Sequence, residues 1–119
     1  MKRIKFKNGN YKEIHYYDAE ETKIKIERYY NSKDDYHRLD GPTYIRYHES
    51  GEIACKIYIV NNKYHRLNGP SSIWYSESGK QICEYYINGE EYSRYEFNKH
   101  PEVIKFININ RNLKLLNKV

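Results

Sequence analysis

A seven-residue phrase that occurs twice constrains the fold of this chain more than any other feature. Tyr-His-Arg-Leu-Asp-Gly-Pro occupies residues 36–42 and returns 28 residues later, at 64–70, with Asn68 in place of Asp40. Repetition at a fixed period of this length is typical of folds that are built from copies of one supersecondary unit. We therefore interpret the chain as a repeat protein before considering single residues.

The two full repeats span residues 36–63 and 64–91, and residues 8–35 resemble a degenerate copy that lacks the Gly-Pro turn. Within each repeat, β-branched and aromatic residues alternate with polar ones in steps of two, as they do in strands. The strands are separated by residue pairs that tolerate positive φ: Asn8-Gly9, Ser50-Gly51, Asn61-Asn62, Ser78-Gly79 and Asn88-Gly89. This pattern predicts a mainly β fold, an antiparallel β-meander of hairpin repeats with a period of 28 residues.

The chain has the length of a single domain with one core. We divide its 119 residues into N-terminal strands with the degenerate repeat (1–35), two full repeats (36–91) and a short C-terminal helical cap (92–119). Strands are also expected in the first segment, at about residues 2–7, 11–17 and 22–30.

The pattern changes after residue 92. Ser93 and Glu96 have the spacing of a capping box, and Pro101 suits the first turn of a second helix. Apolar residues then recur in steps of three and four, at Val103, Phe106, Ile109, Leu113 and Leu116. We expect this stripe to be buried against the last hairpin, with a break near the asparagines at 108, 110 and 112.

The net charge of +5 is concentrated at the two ends of the chain. Residues 1–12 carry +5 and residues 99–119 carry +4, so residues 13–98 carry −4. Contact with nucleic acid is therefore expected at the basic termini rather than along the repeats. No apolar run approaches the roughly 18 residues of a membrane span, and the first residues lack an apolar signal core. We expect a cytoplasmic protein without a transmembrane segment.

His37 and His65, the equivalent histidines of the two phrases, are candidates for a metal or acid–base site. Zinc is bound by four ligands in local clusters, and two histidines 28 residues apart do not supply them. A residue that is copied with each repeat fits a structural role better, and Asp or Asn followed by Gly-Pro suits a turn between hairpins. We assign this turn role to His37, Arg38, Asp40, Gly41, Pro42, His65, Arg66, Asn68, Gly69 and Pro70.

Cys55 and Cys83, the equivalent cysteines, are expected to stay reduced. Successive hairpins would hold them two strand spacings apart, about 9–10 Å, and a disulfide needs Cα atoms within about 7 Å. We expect both to be small core residues. The chain contains no Gly-rich phosphate loop, nucleophile elbow or Cys–His nucleophile spacing. We therefore predict no enzyme activity, no cofactor and no metal site.

Arginine and aromatic side chains recur on one face of the predicted strands. The chain has 15 tyrosines, and Arg46 and Trp74 hold equivalent positions opposite Ile45 and Ile73. Aromatic residues and arginine on a non-core face are typical of protein-interface hot spots. The alternative is that these large side chains only shield a thin sheet. The candidate partner-binding set is Tyr44, Arg46, Tyr58, Trp74 and Tyr86.

The repeated phrase, followed by an aromatic strand, a Ser-Gly turn and a strand that ends in Asn-Gly, resembles the MORN-variant hairpin repeats. The resemblance covers about residues 36–92. Such repeats are abundant in giant amoeba-infecting DNA viruses and also occur in bacteria, where some are described as antitoxin-like. The resemblance implies a meandering sheet used for binding, and no catalytic residues that could be transferred to this chain.

These observations favour a non-catalytic module that binds a protein, such as a host factor, a viral protein or a toxin. The alternative is binding of RNA or single-stranded DNA, since tyrosines can stack on bases and the termini are basic. Attachment of the basic ends to anionic lipid, by analogy with roles proposed for MORN repeats, is a third hypothesis.

Overall fold

The computed structural model of the chain describes residues 1–117, which form ten antiparallel strands followed by two helices. The elements are β1 Lys2–Lys5, β2 Tyr11–Tyr16, β3 Ile24–Tyr30, β4 Tyr44–Tyr47, β5 Ile53–Ile57, β6 Ile59–Val60, β7 Lys63–Tyr64, β8 Ser72–Tyr75, β9 Gln81–Ile87, β10 Glu90–Tyr92, α1 Arg94–Lys99 and α2 Pro101–Leu116. Eight strands form one sheet in the order β1-β2-β3-β4-β5-β8-β9-β10, while β6 and β7 form a separate hairpin. The predicted mainly β meander with a C-terminal helical segment is confirmed.

The hairpin turns lie where the sequence predicts them. Gly9, Gly51 and Gly79 have φ of 90°, 93° and 87°, and each donates its N–H to the carbonyl three residues earlier. The two shorter turns each hold two consecutive residues with positive φ, at Asn61-Asn62 and Asn88-Gly89. Two such residues are typical of the type I′ turn, whose twist matches the right-handed twist of the flanking strands.

The large sheet is open, with β1 at one edge and β10 at the other. The radius of gyration is 16.5 Å, larger than the roughly 13–14 Å expected for a compact domain of this length. The chain is therefore an extended meander in which each strand is stabilised mainly by its neighbours. The β10 edge is next to α1, whereas the β1 edge carries Lys2, Arg3 and Lys5, and lysines on an edge strand discourage pairing with other chains.

The central strands have buried residues on both faces. Ile45 and Ile73 lie on one face, whereas Cys55 and Ile57 lie on the other, and all four are at most 8% exposed. Long tyrosine, arginine and lysine side chains of neighbouring strands provide this cover, for example Lys56, which is the cross-strand partner of both isoleucines. A single-layer sheet thereby removes apolar surface from water without a second layer.

The C-terminal segment confirms two expectations. Ser93 caps α1 in a complete capping box with Glu96, and Pro101 begins α2 behind the N-cap His100, whose Nδ1 accepts the Glu102 N–H at 3.1 Å. The core at this end consists of Ile87, Phe97 and Val103, with three partly buried residues packed against it: Leu67, Tyr85 and Tyr92.

The burial expected of the helical stripe is wrong beyond its first turns. Val103 is buried and Phe106 is half-buried, but Ile109, Leu113 and Leu116 are 50%, 52% and 70% exposed. Helix α2 is also continuous through the three asparagines, so the expected break is absent. The reason is geometric: the last hairpin is short, and a helix of sixteen residues extends past it. Neither α1 nor α2 is long and apolar enough to cross a membrane.

Candidate interaction face

The two phrases make the same contacts in the two repeats. The Arg38 guanidinium stacks on the ring of Tyr29 with its Cζ 3.9 Å from the ring centroid, and that of Arg66 stacks on Tyr58 at the same distance. Each arginine also donates from Nη1 to the carbonyl of the proline four residues later, at 3.0 Å in both repeats. The arginine therefore connects the phrase to a tyrosine of the preceding strand segment.

The histidines of the phrases are structural acceptors. Nδ1 of His37 accepts the backbone N–H of Asn61 at 3.1 Å, and Nδ1 of His65 accepts that of Asn88 at 3.0 Å. Each imidazole thus connects the start of its repeat, by a hydrogen bond, to the type I′ turn at the end of the same repeat. Burial lowers the pKa of His65, which keeps the ring neutral and its Nδ1 free to accept.

The exchange of Asp40 for Asn68 changes one exposed ion pair. Asp40 accepts from Arg38 Nε at 3.0 Å with its carboxylate 89% exposed, and this contact lowers the pKa of the carboxyl group. The Arg38 guanidinium lies over Gly41, since a Cβ there would be 2.7 Å from the guanidinium carbon. A larger residue at Gly41 would therefore displace the Arg38 guanidinium from its stack on Tyr29.

One continuous row of side chains crosses six strands on a single face. The strand register pairs His15 with Ile26, Ile26 with Arg46, Arg46 with Cys55, Cys55 with Trp74, and Trp74 with Ile82. Paired residues of antiparallel strands point to the same side. Three members of this row are exposed: Arg46 on β4, Trp74 on β8 and Ile82 on β9. We call these three residues the exposed row. Trp74 is 41% and Ile82 65% exposed.

Polar side chains beside the exposed row hold its aromatic residue in place. Trp74 Nε1 donates to Ser72 Oγ at 2.9 Å, and Ser72 Oγ donates to the carboxylate of Glu84 at 3.4 Å. Ser72 is almost fully buried, although it is polar. A tryptophan held by its indole N–H loses little side-chain entropy on binding, so ordering its ring costs little free energy when a partner binds.

The predicted partner-binding residues are divided between the two faces of the sheet. Tyr44 shares the face of Arg46 and Trp74, and alternation along β9 places Tyr86 there too. Both are half-buried: Tyr44 lies beneath Arg28, and Tyr86 packs edge-on against Tyr64.

The placement of Tyr58 is a correction. This residue follows β5 and donates its N–H to Ser71, so it points to the side opposite Ile57, which is paired with Tyr44. Its ring is covered by Arg66. Sequence spacing assigned Tyr58 to the wrong face because it does not show the register of β5 against β4, which places Ile57, and not Tyr58, on the face of Tyr44.

Ile82 was missed from the sequence, although a signal exists. Along Gln81–Ile87 the buried Ile87 belongs to one alternating set with Cys83 and Tyr85, which leaves Ile82 in the set of Glu84 and Tyr86. That alternation would have placed an exposed isoleucine beside Trp74.

The two cysteines are free but differ in environment. Cys55 is fully buried between Arg46 and Trp74, and burial raises the pKa of its thiol. Cys83 is exposed and lies on the opposite face, paired with Ile73. The expectation that both are core residues is therefore wrong for Cys83, because β9 lies nearer the edge of the sheet than β5 does.

The two basic termini belong to different parts of the fold. Residues 1–12 include β1, the edge strand, whereas α2, with Lys105, Arg111 and Lys114, lies beside the second phrase. Near the N-terminus the tyrosine rings are already stacked on one another, since the centroids of Tyr11 and Tyr30 are 5.0 Å apart and those of Tyr30 and Tyr36 are 4.9 Å apart. Burial raises the pKa of Tyr30 in the middle of this stack.

Within residues 1–117, no three side chains of His, Cys, Asp or Glu are grouped as metal ligands would be. Comparisons of the chain with protein-family models, with curated proteins and with solved structures gave no match.

Proposed function

We propose that the chain is a non-catalytic protein-binding module and that the exposed row is its contact surface. The observation that carries this proposal is the alignment of Arg46, an anchored Trp74 and the exposed Ile82 in one row across β4, β8 and β9, with only the buried Cys55 of β5 between the first two. Tryptophan and arginine are the residues most enriched among interface hot spots. The composition agrees with the binding role that the resemblance to MORN-variant repeats implies.

The surrounding charges and hydroxyls suit the rim of such an interface. Tyr44 and Tyr86 flank the exposed row, with Glu84 beside it. An interface of this kind has an apolar centre and a polar, wet rim. The charge of −4 over residues 13–98 favours a partner whose complementary surface is basic around an apolar pocket.

The test compares proteins captured from native cells by the wild-type chain and by a variant of the exposed row, Arg46→Ser with Trp74→Ser and Ile82→Ser. A captured protein counts only after purification, when its affinity for both chains is measured directly. The expected loss is at least about a hundredfold, since a central tryptophan alone can contribute 2 kcal/mol or more.

A matched control carries substitutions of similar size away from the sheet, Tyr95→Ser with Leu115→Ser on the helices, where both side chains are exposed. This control should bind as the wild type does. Equal affinity of the purified partner for the wild type and for a folded variant of the exposed row would refute the proposed surface.

A further inference from the structure

Leu39 is the most exposed large apolar side chain among residues 1–117, at 79%. Its equivalent in the second phrase is Leu67, which is partly buried and packs against Ile87, Phe97 and Val103. The same residue in the same phrase is thus covered in one repeat and open in the other. The second repeat therefore shows which kind of side chain can cover the leucine of the first repeat.

The equivalence extends to the surroundings of the two leucines. The N–H of Arg38 donates to Ile59 and that of Arg66 to Tyr86, at 3.3 and 3.2 Å. In both repeats the histidine of the phrase accepts a hydrogen bond from the turn that follows, from the N–H of Asn61 in the first and of Asn88 in the second. Val60, which precedes Asn61, therefore corresponds to Ile87, which precedes Asn88.

In the second repeat, the helices cover this pair of apolar residues. Ile87 is 3% exposed beneath Phe97 of α1 and Val103 of α2. In the first repeat, Leu39 and Val60 instead line an open cleft of about 470 Å³, together with Leu67 and with Phe106 of α2. The cleft lies between the two phrases, next to the helix that covers the second one.

We propose that this cleft, here called the Leu39 cleft, binds an acidic amphipathic helix of a partner protein. The partner's helix covers Leu39 and Val60 as Phe97 and Val103 cover Leu67 and Ile87, and so continues the helical layer by one repeat. Large apolar side chains at helical spacing provide the contact, as in other helix-in-groove complexes. This surface lies away from the exposed row, so the inference stands independently of the proposed function.

The charge around the Leu39 cleft indicates which kind of helix can bind there. Helix α2, which forms one side of the cleft, carries Lys105, Arg111 and Lys114, and no acidic residue follows Glu102. The walls add Arg38 and Arg66 against one acidic residue, Asp40, which is paired with Arg38. A second copy of the basic α2 would be repelled, whereas an acidic helix is attracted. A bilayer surface is flat and does not enter a cleft between two loops and a helix.

The test titrates the full, ¹⁵N-labelled chain with a synthetic peptide that has the sequence of residues 93–116 with glutamate at the positions of Lys99, Lys105, Arg111 and Lys114. This probe presents the apolar side chains seen on Leu67 with the charge reversed. Saturable chemical-shift changes are expected at Leu39 and Val60. Binding should weaken at least about tenfold in Leu39→Ser, because burial of one leucine is worth more than 1.4 kcal/mol.

The matched control is Leu115→Ser, an exposed leucine near the end of α2 that does not line the cleft, and it should bind the peptide as the wild type does. Four results would overturn the inference: no saturable shift up to about 1 mM peptide, equal binding by Leu39→Ser, equal binding of the peptide with its native basic residues, or shifts confined to Leu67 and Ile87. The last result would mean that the peptide only exchanges with the chain's own helices.

Discussion

Replacement of Arg66 by alanine is expected to lower the free energy of unfolding by about 2–5 kcal/mol, although Arg66 lies in a loop. The hydrogen bond from its guanidinium to the Pro70 carbonyl, at 3.0 Å, is charge-assisted and contributes about 1.5–3 kcal/mol. The stack on Tyr58, at 3.9 Å, adds about 0.5–2 kcal/mol, depending on how far the pair is removed from water. Together they equal a large share of the stability of a small domain.

The same arginine contacts occur in both repeats, so equivalent substitutions in the first repeat serve as controls for those in the second. Arg38→Ala should cost the same as Arg66→Ala within about 1 kcal/mol, since its stack and its hydrogen bond have the same distances. Arg66→Lys keeps the charge but not the planar fork, so most of the loss should remain. Asp40→Asn converts the first phrase into the second and removes only an exposed ion pair, which is worth at most about 1 kcal/mol.

The assay is urea-induced unfolding followed by far-UV circular dichroism and by the fluorescence of Trp74, the single tryptophan. Coincident transitions with unchanged slopes would permit comparison of the variants as two-state systems. The explanation fails if Arg66→Ala costs less than about 0.5 kcal/mol, the range of ordinary surface substitutions, or if Arg66→Lys is as stable as the wild type. A cost of Asp40→Asn equal to that of Arg38→Ala would identify the ion pair, rather than the stack, as the stabilising contact.

Three further outcomes are expected. Gly69→Ala should lower stability by about 1–3 kcal/mol in the same urea assay, because φ is +144° and a new Cβ would lie 3.2 Å from the Arg66 guanidinium; a neutral effect would contradict this. Burial lowers the pKa of His65 from 6.5, so its contribution is present above about pH 6.5 and lost as the pH falls below it. His65→Asn should therefore flatten the decrease in melting temperature between about pH 7 and 5, and an unchanged profile would exclude His65 as its cause. In a native thiol titration, Cys83 should react at once and Cys55 only on unfolding; two fast thiols would contradict the burial of Cys55.

Local features of the fold could be predicted from the sequence because they depend on neighbours in the chain. A positive φ at Gly51 or Asn88 follows from residue type, and so does the capping box of Ser93. The structural role of the phrase could also be inferred, since a site for chemistry is rarely copied with each repeat. The contact that gives the phrase this role could not be predicted, because the tyrosine under each arginine lies outside the phrase, eight or nine residues before the arginine, at Tyr58 and Tyr29.

Predictions that depend on distant parts of the chain were less successful. Tyr58 was assigned to the wrong face because its side depends on the cross-strand register, which pairs Ile57 with Tyr44 and cannot be read from spacing along the chain. Burial of Leu113 was expected from helical spacing, but spacing does not reveal how far the sheet extends beneath the helix. Exposure is a property of the assembled sheet, and a short last hairpin leaves that part of α2 uncovered.

The two repeats have the same internal hydrogen bonds but different neighbours. An apolar residue that is covered in one repeat can therefore be exposed in the other, where it is available to bind a partner. The hydrogen bonds of His37 are those of His65, yet Leu39 is open where Leu67 is covered. Loss of the arginine or the glycine of a phrase is expected to destabilise the turn between hairpins in either repeat. The position of each copy in the sheet then decides which of its apolar residues lack a neighbour within the chain. A partner helix that supplies the missing neighbour needs no change in the fold, so binding at the Leu39 cleft should leave the strand register unchanged and shift only the resonances around the cleft.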